Sequence, residues 1–461
     1  DDNSTWNNIP GATSPDLMTS QIGNLTATRY YRAIVNGSLY STTAAITFSD
    51  PAIGVAPSGS GTAIDPYLIS SMDELSWIAG DASRWDKHYK QTSDIDASLT
   101  SNNCYHLGAG WMPIGNASDK LTGSYDGQGY QIANLYINRS TDEYAGLFGY
   151  LSGAAITNLI IADGNITGGK YIGMLSAYAD GQTSISNVAV SGNIQGEFYD
   201  SESGVGGLIG WFSGAQGSVD NANADVNINC NDLTNNTSFF GGGLFGVLEA
   251  DCQNSHASGS FSLSNHYLGN VHVGGFAGSI SAEVRNCYTT IQMEIYDTYM
   301  NQYVYAGGFA GFNSGDITGS TSSGDLYLYD VSDVVYAYFG GFTGYNNGQI
   351  SNSYTTRYME TYYAFDTRNF YAGGFTGYNN SEIMNSYANS YINIYTNYVA
   401  TTFLGGFAGV NNNTIINCYS RSECFEDMNF NYSYAGGFAG ENFGQITNSY
   451  SAGYVYGNNM L

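Results

Sequence analysis

From about residue 141 to the C-terminus the chain repeats one phrase of alternating apolar and small residues. It is cleanest as YAGGFAGENFGQITNSY at 434–450, as YAGGFTGYNNSEIMNSY at 371–387 and as YFGGFTGYNNGQISNSY at 338–354. Aligned on the apolar residue after the glycine pair, the ten copies fall at Leu147, Met174, Leu208, Leu244, Phe276, Phe309, Phe342, Phe375, Phe407 and Phe438. From Leu208 onward the intervals are 36, 32, 33, 33, 33, 32 and 31 residues. A constant period of this size is the signature of a stacked repeat.

Within a copy the period is two, so the unit is built from strands. In GGFAG a Phe and a small residue alternate with glycines; in Ile446-Thr447-Asn448-Ser449-Tyr450 the apolar or amide residue comes every second position. Between them lies a turn of the Asn346-Asn347-Gly348 kind, where left-handed backbone is cheap. A Tyr-rich third stretch, such as 333–338, leads into the next glycine pair. Helical repeats would need apolar stripes at 3.6-residue spacing, which are absent from the sequence. The pattern predicts an all-β protein, a β-solenoid (stacked β-arches or parallel β-helix) of about ten coils of about 33 residues.

Stacking such coils places like residues about 4.8 Å apart. Asn313, Asn346, Asn379, Asn411 and Asn442 then form one amide ladder at the turn. Asn286, Asn352, Asn385, Asn417 and Asn448 form a second, with Tyr288, Tyr354, Tyr387, Tyr419 and Tyr450 stacked two residues on. A buried amide that pairs above and below need not go unsatisfied. The glycine pairs allow one backbone to approach another at a narrow corner.

The phrase resembles the GLUG repeat, found in large bacterial and archaeal surface proteins, adhesins among them, and in non-catalytic parts of some secreted peptidases. The resemblance runs from about Gly59 to the C-terminus. It implies architecture rather than activity, because such coils serve as scaffolding in many contexts.

Composition sharpens the picture. Twelve Lys and Arg stand against 39 Asp and Glu, a net charge of −27, so nucleic acid and anionic membranes are poor partners and cations better ones. Charged residues are nevertheless only 11% of the chain, against 41 Tyr and 60 Gly; a polar face of Asn, Ser, Thr and Tyr suits a fixed array outside a cell. There is no initiator Met, no leader and no apolar run of membrane-spanning length, so the chain reads as a mature or trimmed product.

Residues 1–50 differ from the rest. The stretches 25–35 and 43–48 look like two antiparallel strands and resemble the end of an immunoglobulin-like or fibronectin-type III module, short of the roughly 100 residues a closed sandwich needs. Residues 51–61 form a Pro/Gly/Ser linker, and 62–140 a lead-in and N-terminal cap, with 141–461 the repeat solenoid. In the cap, Ser71 is the expected N-cap of a short helix, with Glu74 three residues on and Gly80 as terminator. The final coil near 432–456 reads as an open rung whose strand edge seeks a partner, with the partial β unit at 1–50 as the connector.

Candidate chemistry is sparse. Cys104, Cys230, Cys252, Cys287, Cys418 and Cys424 are an even set that favours disulfides in an extracellular setting. Cys252 takes an inward apolar position, Cys287 and Cys418 take the outward Ser position, and Cys230–Cys252 or Cys418–Cys424 are conceivable pairs. Sequons begin at Asn3, Asn24, Asn36, Asn116, Asn138, Asn165, Asn235, Asn236, Asn379, Asn412 and Asn431 and are glycosylation candidates, although many arise by composition alone. The histidines His88, His106, His256, His266 and His272 form no H-E-x-x-H. Asp94 with Asp96, or Asp325 with Asp330 and Asp333, is the nearest approach to a glycosidase carboxylate pair, and Asp at strand turns is the commoner cause. Asp297, Asp325, Asp330, Asp333 and Asp366 are a weak calcium candidate; no other cofactor is expected.

The sequence therefore points to a non-enzymatic structural component of an extracellular sheath, surface layer or fibre, whose partners are copies of itself. This combination resembles archaeal envelope proteins, including methanogen sheath proteins. The alternatives are an adhesin arm whose tyrosines bind glycans or another cell, and a carbohydrate-active β-helix enzyme.

Overall fold

From Gly206-Gly207 onward each turn of the chain is bent at a glycine pair, and the two turns before it carry single glycines, Gly146 and Gly173. In the computed structural model one coil consists of the strands Tyr336–Gly340, Thr343–Asn346, Ile350–Ser351 and Tyr354–Ala364. A Cβ on Gly340 would lie 1.9 Å from the Thr343 carbonyl oxygen, and one on Gly341 2.1 Å from that of Gly374. Only glycine permits this corner, and it drives Phe342 into the interior. The structure describes residues 54–102, 105–198, 202–233, 238–265, 268–296, 300–329, 334–364, 367–397, 399, 401–429 and 432–457, with four short strands between 29 and 46.

Successive coils pair in parallel and in register: Tyr338 with Tyr371, Gly340 with Gly373, Thr343 with Thr376, Asn346 with Asn379. Three walls result. Two are ten-stranded parallel sheets, one running from Tyr144–Ala145 to Tyr432–Gly436 and the other from Phe148–Ser152 to Ala439–Asn442. The third gathers the remaining strands, from Tyr67–Ile69 to Val455–Gly457. The protein is an all-β solenoid of about ten turns.

The interior is a column of rings. Phe276, Phe309, Phe342, Phe375, Phe407 and Phe438 stack face to face at 4.7, 4.8, 4.9, 4.8 and 5.0 Å. Ring spacing therefore equals strand spacing, which ties side-chain packing to backbone register. Burying each such ring contributes roughly 1.5–3 kcal/mol.

The third wall departs from simple alternation. In Ile350-Ser351-Asn352-Ser353-Tyr354, Ile350 and Ser353 are buried while Asn352 and Tyr354 are exposed. The reason is a left-handed residue: Asn352 has φ 52°, and Asn158, Asn187, Asn221, Asn254, Asn286, Asn385, Asn417 and Asn448 lie between 49° and 54°. One such residue shifts the in/out phase by one, and Asn tolerates it well. The Ser position after it therefore faces the core. Cys287 and Cys418, expected to point outward there, are each 1% exposed.

The N-terminal end of the solenoid carries the helix Met72–Ala79. The Ser71 hydroxyl accepts the Glu74 amide at 3.3 Å, and Leu75 and Ile78 are fully buried beneath it. Gly80 closes the helix in right-handed geometry, its N–H donating to Ser76 O. Within residues 1–50, the strand Arg29–Tyr31 pairs antiparallel with Ala44–Ile46 and Ile34–Val35 with Leu39–Tyr40; the rest of that segment lies outside the described residues. Among the described residues no helix is long and apolar enough to cross a membrane.

Candidate functional site

Columns of like residues run along the rod and hold most of its polar and aromatic chemistry. The innermost is an amide column: Asn313 Nδ2 donates to Asn346 Oδ1 at 2.9 Å, Asn346 to Asn379 at 2.9 Å, Asn379 to Asn411 at 2.8 Å and Asn411 to Asn442 at 2.7 Å. Asn313, Asn346, Asn379 and Asn411 are fully buried. Asn379 is thus unavailable to a glycan, which removes it from the glycosylation candidates. Asn116, Asn138, Asn165 and Asn412 are exposed. Asn3, Asn24, Asn36, Asn235, Asn236 and Asn431 lie outside the described residues.

The second amide column, expected inside the coil, is on the exterior at the left-handed positions. Asn417 Nδ2 donates to Asn385 Oδ1 at 3.1 Å, and the column extends toward the N-terminus through Asn221, Asn187 and Asn158. Those earlier members were hidden because their coils lack the Ser-Tyr that marks the phrase. Between Asn286 and Asn352 the position belongs to Gly319, φ 64°. Asn448 closes the column at the other end and is exposed. Beneath it, inward hydroxyls and thiols form a further column: Ser320 Oγ accepts from Cys287 N, Ser353 Oγ from Ser320 N and Ser386 Oγ from Ser353 N, and Cys418 Sγ accepts from Ser386 N.

Two residues beyond the exposed amides stand the tyrosines. Tyr354 and Tyr387 stack at 4.7 Å, Tyr387 and Tyr419 at 4.8 Å, Tyr419 and Tyr450 at 5.5 Å. Tyr288 stacks on His256 at 4.6 Å, but Thr321 occupies the rung between Tyr288 and Tyr354. A second aromatic system, not foreseen in its geometry, lines the angle between the two ten-stranded sheets. There Tyr305, Tyr338, Tyr371, Phe403 and Tyr434 stack, while Tyr338 meets Tyr345, and Tyr371 meets Tyr378, edge to face. Burial and neighbouring phenols push the Tyr171 and Tyr371 hydroxyls up to about 12. On the third wall a shallow cleft of about 400 Å³ is lined by Asn165, Asn193, Gln195, Asn227, Asn229 and Ser260 among others.

Among the described residues no two cysteines pair. Cys230, Cys252, Cys287, Cys418 and Cys424 are free and buried, correcting the expected disulfides; Cys104 lies outside the described residues. Burial pushes the Cys418 thiol up to about 11 and that of Cys424 to about 12.

The carboxylates serve turns. Asp94 Oδ1 accepts the Gln131 amide, and Asp96 accepts from Ser98 and Asn134, bonds that hold its carboxyl below the usual range. Asp297, Asp330, Asp333 and Asp366, with His266, are outside the described residues. Among the described residues no group of three His, Cys, Asp or Glu could hold a metal. His272 sits within the second aromatic system between Phe240 and Tyr305, 4.5 Å from each. Arg357, which sequence reasoning passed over, is fully buried and forms no ion pair among the described residues. Its guanidinium donates to Ser322 Oγ at 2.7 Å and to the carbonyls of Gly308, Ile291 and Asp325 at 2.7, 2.9 and 3.2 Å. The legible signal is its register: Arg357 stands in a column whose neighbouring members are Gly324 and Ser390.

A family model described as a domain of unknown function (DUF8696) matches residues 1–50. Halomucin of Haloquadratum walsbyi is 37% identical over 156 residues, 33% of this chain and 2% of that protein. An immunoglobulin A1 protease of Streptococcus sanguinis is 33% identical over 198 residues, 36% of this chain and 10% of that protein. A solved IgA1 protease structure aligns with 70% of this chain and 23% of its own, at 20% identity and a TM-score of 0.42. The chain thus spans a small part of the length of these relatives. The expectation of a non-enzyme does not stand against them, because sequence relatives in two Streptococcus species carry the name of a protease. The chain is a parallel β-solenoid similar in sequence to segments of halomucin and of immunoglobulin A1 protease.

Proposed function

We propose that the chain is a structural element of the cell exterior, a stiff rod that packs with copies of itself into a sheath, surface layer or fibre. The observation that supports this most is the unbroken register. One coil's hydrogen bonds and ring stacks continue into the next, through the buried amides from Asn313 to Asn442 and the rings from Phe276 to Phe438. Bending such a rod breaks several stacked columns at once, so stiffness follows from the packing. The similarity to segments of halomucin supports an exterior location.

Copies meet through flat walls and strand edges. With 39 acidic against 12 basic residues, like-charge repulsion opposes that contact until cations screen it. The buried thiols have no part in joining copies. The test is electron microscopy and light scattering of the purified chain as salt is raised. Tubes, sheets or fibres that appear with screening support the reading, and monodisperse rods at every salt concentration overturn it.

A further inference from the structure

The exposed tyrosine column is missing one ring. Tyr288, Thr321 and Tyr354 are consecutive rungs in register, and Thr321 supplies no ring between the two tyrosines. Tyr288 is covered on one face by His256, interplanar angle 5°, and Tyr354 on one face by Tyr387, interplanar angle 1°. Their other faces look toward the gap. Exposure agrees: Tyr288 is 44% and Tyr354 36% exposed, whereas Tyr387 and Tyr419, stacked on both faces, are only half-exposed. Two rungs separate the tyrosines, about 9.5 Å, which leaves about 4.8 Å on either side of a single ring placed midway.

The amide column has lost the same rung. Gly319 replaces its Asn, and Asn286 Oδ1 leans over it, 2.8 Å from where a Gly319 Cβ would be. The side chains of Asn286 and Asn352 make no hydrogen bond among the described residues. Elsewhere the fold closes such a gap itself. Where Gly204 interrupts the other aromatic column, Trp211 swings in, 5.8 Å from Tyr171 and 5.2 Å from Phe240. No described side chain does this above Thr321.

We infer that the slot between Tyr288 and Tyr354 binds one pyranose ring of a neutral glycan. An all-equatorial pyranose carries axial C–H bonds on both faces, and these are drawn to the electron-rich faces of two flanking phenols. Its equatorial hydroxyls meet Thr321 and the free amides of Asn286 and Asn352. A plain aromatic ring would fill the same width but strip water from those groups without replacing its hydrogen bonds. The six residues around the slot, with Gly319 as the sixth, are uncharged, which suits a neutral ring. The site goes beyond the proposed structural role and does not depend on whether copies assemble.

The test uses the full chain under conditions where it is monodisperse, with methyl β-D-glucopyranoside and a β-linked glucose tetramer as probes. Saturation-transfer NMR reads the sugar C–H protons and tyrosine fluorescence reads the slot. Transfer to axial protons of both faces is the expected result. Thr321→Tyr restores the missing ring, leaves the melting temperature unchanged or raised, and abolishes transfer. Tyr288→Leu and Tyr354→Leu, which leave the core untouched, each weaken tetramer binding about tenfold. No transfer in the wild type, transfer that survives Thr321→Tyr, or undiminished binding by both leucine variants would overturn the assignment. So would p-cresol occupying the slot while the sugars do not, because that result identifies an aromatic side chain as the occupant.

Discussion

The Asn346 amide donates to the Asn379 side-chain oxygen at 2.9 Å, across 33 residues of sequence and a single rung of the rod. The same Asn346 oxygen receives Asn313 at 2.9 Å. Each residue is donor and acceptor to its own kind, so the column is satisfied only while the coils keep register.

Replacing Asn346 with Ala leaves one of the two Asn313 Nδ2 hydrogens and the Gly348 N–H without their partner, and leaves Asn379 Oδ1 only the long bond from Ser381 N at 3.4 Å. The expected cost is about 2–4 kcal/mol, read as a lower midpoint in denaturant at unchanged slope. The same substitution at exposed Asn412, whose amide meets the Tyr378 hydroxyl at 2.6 Å, should cost well under half as much.

Arg357 occupies room made by glycines: a Cβ on Gly308 would lie 2.3 Å from its Nε. Arg357→Ala leaves a cavity and frees Ser322 Oγ and the Gly308 carbonyl, an expected loss of about 3–5 kcal/mol. Arg357→Met refills the volume but not the hydrogen bonds, so its melting temperature should fall between wild type and Ala. Equal melting temperatures for all three proteins would remove the role assigned to this side chain.

His272 is held down to about 3 by burial among rings. Its Nδ1 is buried without a hydrogen-bond partner. An unfolded imidazole titrates near 6.5, so between about 6.5 and 3 the unfolded chain takes a proton that the folded one refuses. Stability from this group is intact above about 6.5 and declines as the pH falls toward 3. His272→Phe, matching Phe240 in the preceding coil, should therefore gain about 1–2 kcal/mol over wild type at pH 4.5 and less at pH 7.5. Thermal melts at the two pH values measure the difference.

The five described thiols are buried, and burial pushes those of Cys230, Cys252, Cys418 and Cys424 up, away from the reactive thiolate. Native protein should leave them unmodified by a small thiol reagent at neutral pH, and denaturant without reductant should release all five. Reductant should change neither melting temperature nor mass. A drop of several degrees on reduction would indicate bridges that this packing does not contain.

Much of the architecture was legible from one dimension. A period near 33 with Phe after a glycine pair demands like-on-like stacking, because only identical coils in register bury the same ring in every turn. Asn313 to Asn442 could be named as a column for that reason. What could not be read was which side of the wall a residue faces. Strand alternation assigns Cys287 and Cys418 to the outside, yet the left-handed turn at Asn286 and Asn417 reverses the phase and buries both. Backbone dihedrals at one residue decided this, and they depend on pairing with neighbouring coils.

The sequence by itself determined the repeat length, the β-class, the stacking of like residues and the acidic, weakly charged surface. Each of these is a property of spacing or composition. Only the tertiary structure decided where the columns fail and what fills them. Thr321 and Gly319 look like ordinary variation within one copy, and Gly204 likewise. Once the coils are stacked, Gly204 is covered by Trp211, while Thr321 leaves two tyrosine faces open. The difference lies in what the neighbouring wall brings within reach of each gap, a distance in space that no spacing along the chain encodes.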